Sequence, residues 1–266
     1  MLCPVSSTVP PPRAADLVPR LRAAGCVLAE DEAELLVAAA GSAVELEELV
    51  TRRVGGEPLE YVVGWAEFCG LRLVVEAGVF VPRHRTELLV DEAALLLRDA
   101  AGPVVVDLCC GSGALGAALA ARTPVELYAA DVDPAAVRCA RLNLAGLGRV
   151  FEGDLFDPLP ASLLGRVDIL LANVPYVPTE AVALLPPEAR LHETRATLDG
   201  GPDGLNVMRR VSAGARHWLA PGGHVLVETS ERQAGVAVEV LTHDGLAARV
   251  VTAEDESATA VVGTRR

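Results

Sequence analysis

VVVDLCCGSGALG, residues 104–116, runs from β-branched residues through a glycine-rich turn into a helical pattern. Such a run bounded by small residues reads as a buried strand entering the strand-to-helix turn of a βαβ unit. The same rhythm extends outward from it. VELYAAD, DILLAN and HVLVETS are strand-like, and helical periodicity follows in SGALGAALAAR, PAAVRCARLNLAG and GLNVMRRVSAGARHWLA. Asp133 as cap, Pro134 as first helical residue and Gly146 as stop bracket the second of these helices. The alternation predicts an α/β domain with a mostly parallel sheet wrapped by helices.

Upstream the pattern differs. From Ala14 to Val54 apolar residues recur three and four apart, and Ser42 with Glu45 reads as a capping box, so a small helical bundle is expected. EFCGLRLVV and GVFVPR alternate as extended segments on either side of Glu76 and Ala77, which predicts a β-hairpin leading into the α/β part.

Bulk properties narrow the function. The 266 residues suit one large domain, or one ordinary domain with a smaller attachment. No apolar stretch reaches the ~18 residues of a membrane span. Residues 1–14, MLCPVSSTVPPPRA, have no basic start followed by an apolar core, so no signal peptide is read there and a cytoplasmic location is expected. A net charge of -13 argues against gripping a nucleic-acid backbone, which needs Lys and Arg to displace counterions. All 23 basic residues are Arg, a compositional bias without functional content. The six cysteines, Cys3, Cys26, Cys69, Cys109, Cys110 and Cys139, include no CxxC pair and no His at ligand spacing, so no metal site is expected.

Gly111-Ser112-Gly113-Ala114-Leu115-Gly116 matches a dinucleotide fingerprint, and Asp131 closes the next strand twenty residues after Gly111. A lone GxGxxG is weak evidence. Asp107 shifts the balance: a carboxylate at the tip of the first strand suits a ligand bearing an ammonium group better than a pyrophosphate. S-adenosylmethionine has that group and no phosphate. Asp131 then takes its ribose hydroxyls through charge-assisted hydrogen bonds, Gly111 and Gly113 let backbone approach it, and Asp154 accepts from the adenine amino group. The bland alternative is that Asp154 caps a turn.

ANVPY, residues 172–176, ends the DILLA strand where open α/β sheets place their ligand crevice. An amide nitrogen attacks a methyl sulfonium only if both its hydrogens are held. The Asn173 side-chain carbonyl and the Val174 backbone carbonyl are two such acceptors, Pro175 fixes the turn, and Tyr176 walls a planar group. Alone, the tetrapeptide reads as a simple turn after a strand. Its company of Asp107, the glycines and Asp131 makes it a catalytic candidate.

Taken together, the motifs resemble the protein-(glutamine-N5) methyltransferases, which modify the glutamine of a Gly-Gly-Gln loop in peptide chain release factors and have relatives acting on a ribosomal protein. RRVGGEPLEYVVGWAEFCGLRLVV, GVFVPRHRTELLV, LDGGPDGLNVMRRV and LAPGGHVLVETSERQ are similar to family blocks over most of the chain. The resemblance implies a helical substrate-recognition domain over 1–60, a connector with a β-hairpin over 61–83, and a class I, seven-stranded, Rossmann-like methyltransferase domain over 84–266. It further implies that Phe80 and Arg83 border the cofactor and the glutamine channel, that Gly111, Asp131, Asp154 and Asn173 bind cofactor or target, and that the partner is a protein, a release factor or ribosomal protein, with no direct nucleic acid and no membrane.

Three features depart from the family pattern. Val174 replaces the first proline of Asn-Pro-Pro-Tyr, Cys109 replaces the first loop glycine, and His84-Arg85 replace Pro-Glu. Cys109 and Cys110 read as small packing residues, since no neighbouring base activates a thiolate. Two rival readings follow: an N6-adenine nucleic-acid methyltransferase using similar Asn-Pro-Tyr logic on a flipped base, and a catalytically idle protein that keeps the cofactor fold for interaction.

Overall fold

A computed structural model describes residues 14–253 and 258–266. The reading of residues 1–13, Cys3 among them, lies outside the described residues. The chain divides into two compact units, Met1–Gly64 and Trp65–Arg266.

The first unit contains helices α1 (Ala14–Ala23), α2 (Ala29–Ala39), α3 (Ala43–Val54) and α4 (Leu59–Val63). Leu17, Leu21, Leu36, Leu46, Val50 and Val62 share one buried cluster, as the three-and-four spacing requires. Inside it the Arg53 guanidinium forks onto Glu32, with Nε–Oε2 at 2.6 Å and Nη2–Oε1 at 3.1 Å, so neither buried charge lacks a counter-ion. Ser42 caps α3 by accepting from the Glu45 N–H, but the Glu45 carboxylate accepts from Gly41 N–H, one residue earlier than a capping box predicts.

The second unit opens with a hairpin of β1 (Trp65–Phe68) and β2 (Leu71–Val74). The expected turn at Glu76 and Ala77 is thereby corrected to Cys69-Gly70. Both of these take positive φ, 50° and 72°, the two-residue turn whose twist matches that of paired strands. Residues 79–83 join no strand; Gly78 makes an isolated parallel bridge with Glu193.

Helix α5 (Glu87–Leu96) precedes the sheet, which is built from β3 (Val104–Leu108), β4 (Glu126–Asp131), β5 (Gly148–Glu152), β6 (Val167–Ala172), β7 (Leu219–Glu228), β8 (Ala247–Ala253) and β9 (Ala258–Thr264). Among the described residues these seven strands lie in the order β5-β4-β3-β6-β7-β9-β8, with β9 antiparallel to both neighbours and the rest parallel. Helices α6 (Ala114–Arg122), α7 (Pro134–Asn143), α9 (Asn206–Trp218) and α10 (Glu231–His243) flank it, and a short α8 (Pro187–His192) lies in the connection after β6. Side chains alternate by strand period: Val105, Ile169, Leu171 and Leu226 pack with α5 and α6, while Val106, Leu108, Leu170 and Val225 pack with α9 and α10. The sheet is buried on both faces.

The site follows from the topology. β3 is an interior strand, and the chain winds outward from it in opposite directions through β4 and through β6, so a crevice opens beyond their C-terminal ends. Register puts Leu108 beside Ala172 and Ala172 beside Val227. The next residue of each strand, Cys109, Asn173 and Glu228, therefore lies at one level; Cys109 and Asn173 line the crevice, and Glu228 is buried behind it.

Candidate functional site

A cavity of about 430 Å³ fills that crevice. Phe80, Arg83, Gly111, Asp131, Asp154, Asn173, Val174, Pro175 and Tyr176 all line it, so the structure brings together nearly every residue singled out above. Two are placed elsewhere. Gly113 caps α6 with φ 80°, and a Cβ on it would lie 3.1 Å from Leu144 and 3.3 Å from Ala140, so it permits close helix packing. Asp107 lies beneath the loop, fully buried; its Oδ2 accepts from the Gly116 N–H at 3.0 Å, and among the described residues its Oδ1 has no hydrogen-bond partner. Burial pushes its carboxyl up to about 7, opposed by the Gly116 bond and reinforced by Asp131.

The loop between β3 and α6 is strained at one point. Cys109 takes φ 52°, a left-handed conformation that costs a non-glycine residue about 1–2 kcal/mol, so the fold imposes what the sequence lacks a glycine for. Cys109 and Cys110 pack into opposite clusters, on either face of the sheet. Burial raises the pKa of both, which keeps them unreactive. At Gly111, with φ 55°, an added Cβ would meet nothing within 4 Å, leaving open space in front of the backbone.

Asp131 ends β4 and ties the loop: Oδ2 accepts from Gly111 N–H at 2.8 Å and Oδ1 from Asp133 N–H at 2.9 Å. Each oxygen retains a further lone pair. Burial raises its pKa, while the backbone N–H groups of Asp133 and Gly111 pull the other way. Asp154 does not stand alone as an adenine acceptor; its Oδ2 accepts from Arg210 Nη2 at 2.6 Å, and both side chains are about half exposed. Arg83 pairs with Glu193, from the segment after α8, and lies 5.4 Å from the Phe80 ring centroid.

The ANVPY turn is held from behind. Gln233 on α10 donates from Nε2 to the Tyr176 carbonyl at 2.9 Å, and the Gly200 N–H donates to the Val177 carbonyl at 2.8 Å. Among the described residues no N–H donates to the Val174 carbonyl, which leaves it able to accept at the cavity. Asn173 Nδ2 donates to Thr86 Oγ1 at 3.4 Å, so its Oδ1 is the free end.

Sequence reasoning missed the layer behind this turn. Thr86 donates to Glu228 Oε2, and Glu228 Oε1 accepts from Tyr176 OH at 2.9 Å and Arg85 Nε at 3.1 Å, while Arg85 Nη2 donates to Tyr176 OH at 2.8 Å. Burial, with Glu228 beside it, pushes the Tyr176 phenol up to about 12, so it stays neutral. A signal was present: Glu228 interrupts the apolar run HVLVE just where a strand aligned with DILLAN must end.

The residues present fit an adenosyl cofactor carrying positive charge. An open glycine backbone and a carboxylate at the end of β4 each answer part of such a ligand. The methyltransferase small domain family model matches residues 70–203. A ribosomal protein L11 methylase from Lactobacillus delbrueckii subsp. bulgaricus shares the fold, with a TM-score of 0.51 at 16% identity over 72% of this chain and 84% of that one. Fold and site define a class I methyltransferase whose cofactor is S-adenosylmethionine. The release factor glutamine methyltransferase of Geobacter sulfurreducens is 38% identical over 82% of this chain and 76% of its own length. That of Mycolicibacterium smegmatis is 43% identical over 75% of this chain and 71% of its own. The chain belongs to the release factor glutamine methyltransferase family.

Proposed function

We propose that this protein methylates the side-chain amide nitrogen of a glutamine in a protein, with a peptide chain release factor as its target. One observation supports this: Asn173 and Val174 are consecutive residues lining the cavity, and among the described residues neither the Asn173 Oδ1 nor the Val174 carbonyl receives a hydrogen bond. An amide nitrogen is a poor nucleophile because its lone pair is delocalised. With both N–H bonds donated to these acceptors, the nitrogen is turned so that its lone pair faces the methyl, and the positive charge that develops on it is matched by two carbonyl dipoles. The bound cofactor supplies a methyl on cationic sulfur. The N–C bond would form as the C–S bond broke, with neutral sulfur leaving with the electron pair, and the N–H groups held by Asn173 and Val174 would release one proton to water.

In this reading Asp131 holds the ribose hydroxyls, Gly111 lets the loop come close, Asp154 and Arg210 together border the adenine, and Phe80 with Arg83 walls the passage to the target. Pro175 keeps Val174 extended and Tyr176 covers the planar amide. Val174 keeps the carbonyl that the chemistry uses. The helical unit offers a surface for the protein target.

The test is methyl transfer from labelled S-adenosylmethionine to purified, unmethylated release factor from the same organism, followed by peptide mapping. Label on a glutamine amide is expected. Label that appears only on nucleic acid in cell extract, or none on the release factor at saturating cofactor, would overturn the reading.

A further inference from the structure

We propose that Glu228 is a positioning residue that fixes which way the Asn173 amide points, acting through the hydroxyl of Thr86. The proposal rests on the acceptor role given to Asn173 above.

The argument is one of proton direction. An ionised carboxylate only accepts, and Thr86 has a single hydroxyl proton. That proton goes to Glu228 Oε2. Thr86 Oγ1 is then left with lone pairs, and the Asn173 group that satisfies it is the NH₂. Oδ1 is thereby turned away from Thr86 and toward the target. Nothing in the shape of an amide makes this choice, since its oxygen and nitrogen ends are nearly isosteric. Register makes the relay possible: Ala172 pairs with Val227, so Asn173 and Glu228 emerge from neighbouring strands at one level. Glu228 is 4% exposed, which keeps water from substituting for Thr86.

The other carboxylate oxygen is committed too. Oε1 takes both Arg85 Nε–H and the Tyr176 proton. If residue 228 were a glutamine, those two donors would draw its oxygen to their side and leave its NH₂ facing Thr86. Thr86 would then accept from residue 228 and donate to Asn173, and the Asn173 amide would flip. A near-isosteric change thus removes an acceptor from the cavity without removing an atom from it.

The experiment compares Glu228→Gln, Thr86→Val and Thr86→Ser with the wild type, by kinetics on the release factor and by NMR of the Asn173 side-chain amide. A contact between the Asn173 NH₂ hydrogens and the Thr86 methyl is expected in wild type and is lost in Glu228→Gln. Glu228→Gln and Thr86→Val should each lower kcat about 100-fold, the scale of one transition-state acceptor, with the Kd for S-adenosylmethionine within about threefold. Thr86→Ser, which keeps the hydroxyl, should recover most of the loss. The double variant should be no worse than either single one. A wild type that leaves the release factor unlabelled but shows the NMR contact, lost in Glu228→Gln, would sink the substrate assignment and uphold the relay. Persistence of the contact in Glu228→Gln, its absence in wild type, or additive kinetic losses would overturn the relay. If Glu228→Gln fails to fold, the Val and Ser variants at Thr86 decide the matter by the same kcat comparison.

Discussion

Asp107 and Gly116 are joined by a 3.0 Å hydrogen bond that uses one carboxylate oxygen and leaves the other without a partner among the described residues. Burial makes ionisation costly, the Asp131 charge adds to it, and the carboxyl is pushed up to about 7 from an ordinary 3.8. Between those values the folded chain holds a proton that the unfolded chain has lost. Stability from this group is therefore full below about pH 4 and falls as pH rises through 7, at up to ~1.4 kcal/mol per pH unit. Asp107→Asn should be less sensitive over that window. Urea melts of both proteins at pH 5, 6, 7 and 8 check this, and parallel stability curves would count against it.

Asp131 is expected to matter to the cofactor in two ways, through its free lone pairs and through the loop it pins. Asp131→Ala frees both Gly111 N–H and Asp133 N–H and removes the ribose acceptor. Calorimetry should show the Kd for S-adenosylmethionine rising at least ~10-fold, given about 1.5–3 kcal/mol for a lost hydrogen bond to a charged group. An unchanged Kd would remove Asp131 from the site.

Cys109 gives a clean measure of backbone strain. At φ 52° a glycine has no Cβ to crowd the following carbonyl, whereas alanine keeps the penalty. Both substitutions delete the same sulfur, so their difference isolates the conformation. Cys109→Gly should be about 1 kcal/mol more stable than Cys109→Ala, less the greater chain entropy that glycine gains on unfolding. Equal midpoints in urea would mean that the loop relaxes around residue 109.

The sheet and its crevice were legible because strand and helix periods are local. VVVDL, VELYAAD and DILLAN needed only their own alternation and their bounding turns, and the observed β3, β4 and β6 fall within a residue or two of them. The hairpin was misplaced because Cys69 hides half of a two-residue turn: only Gly70 announces positive φ in the sequence. Asn173 and Asp131, set by motif, could be placed at the crevice for the same local reason, and both line the cavity. Thr86, Arg85, Glu228 and Gln233 were not, since their roles exist only through contacts across 52 to 143 positions of chain. Asp107 was read as a ligand group because strand position is visible in sequence, while the side of the loop its carboxylate faces is not.

Gly204 supports the ANVPY turn by having no side chain. A Cβ there would lie 2.2 Å from the Tyr176 carbonyl oxygen and 2.3 Å from Gln233 Nε2, and the residue sits at φ 79°. Alanine must therefore push apart the turn and the glutamine that holds it, in addition to adopting a left-handed backbone. Gly146 provides the comparison, since its φ is a similar 78° but a Cβ would meet nothing within 4 Å. Gly146→Ala should cost about 1 kcal/mol, from backbone strain alone. Gly204→Ala should cost more, on the order of 3 kcal/mol as a buried clash adds to strain. It should also lower kcat at least ~10-fold, because the displaced turn carries the Val174 carbonyl away from the target nitrogen. Thermal melts and turnover of the two variants decide it: matching losses at both glycines, with full turnover in Gly204→Ala, would mean that the turn holds its shape without this support.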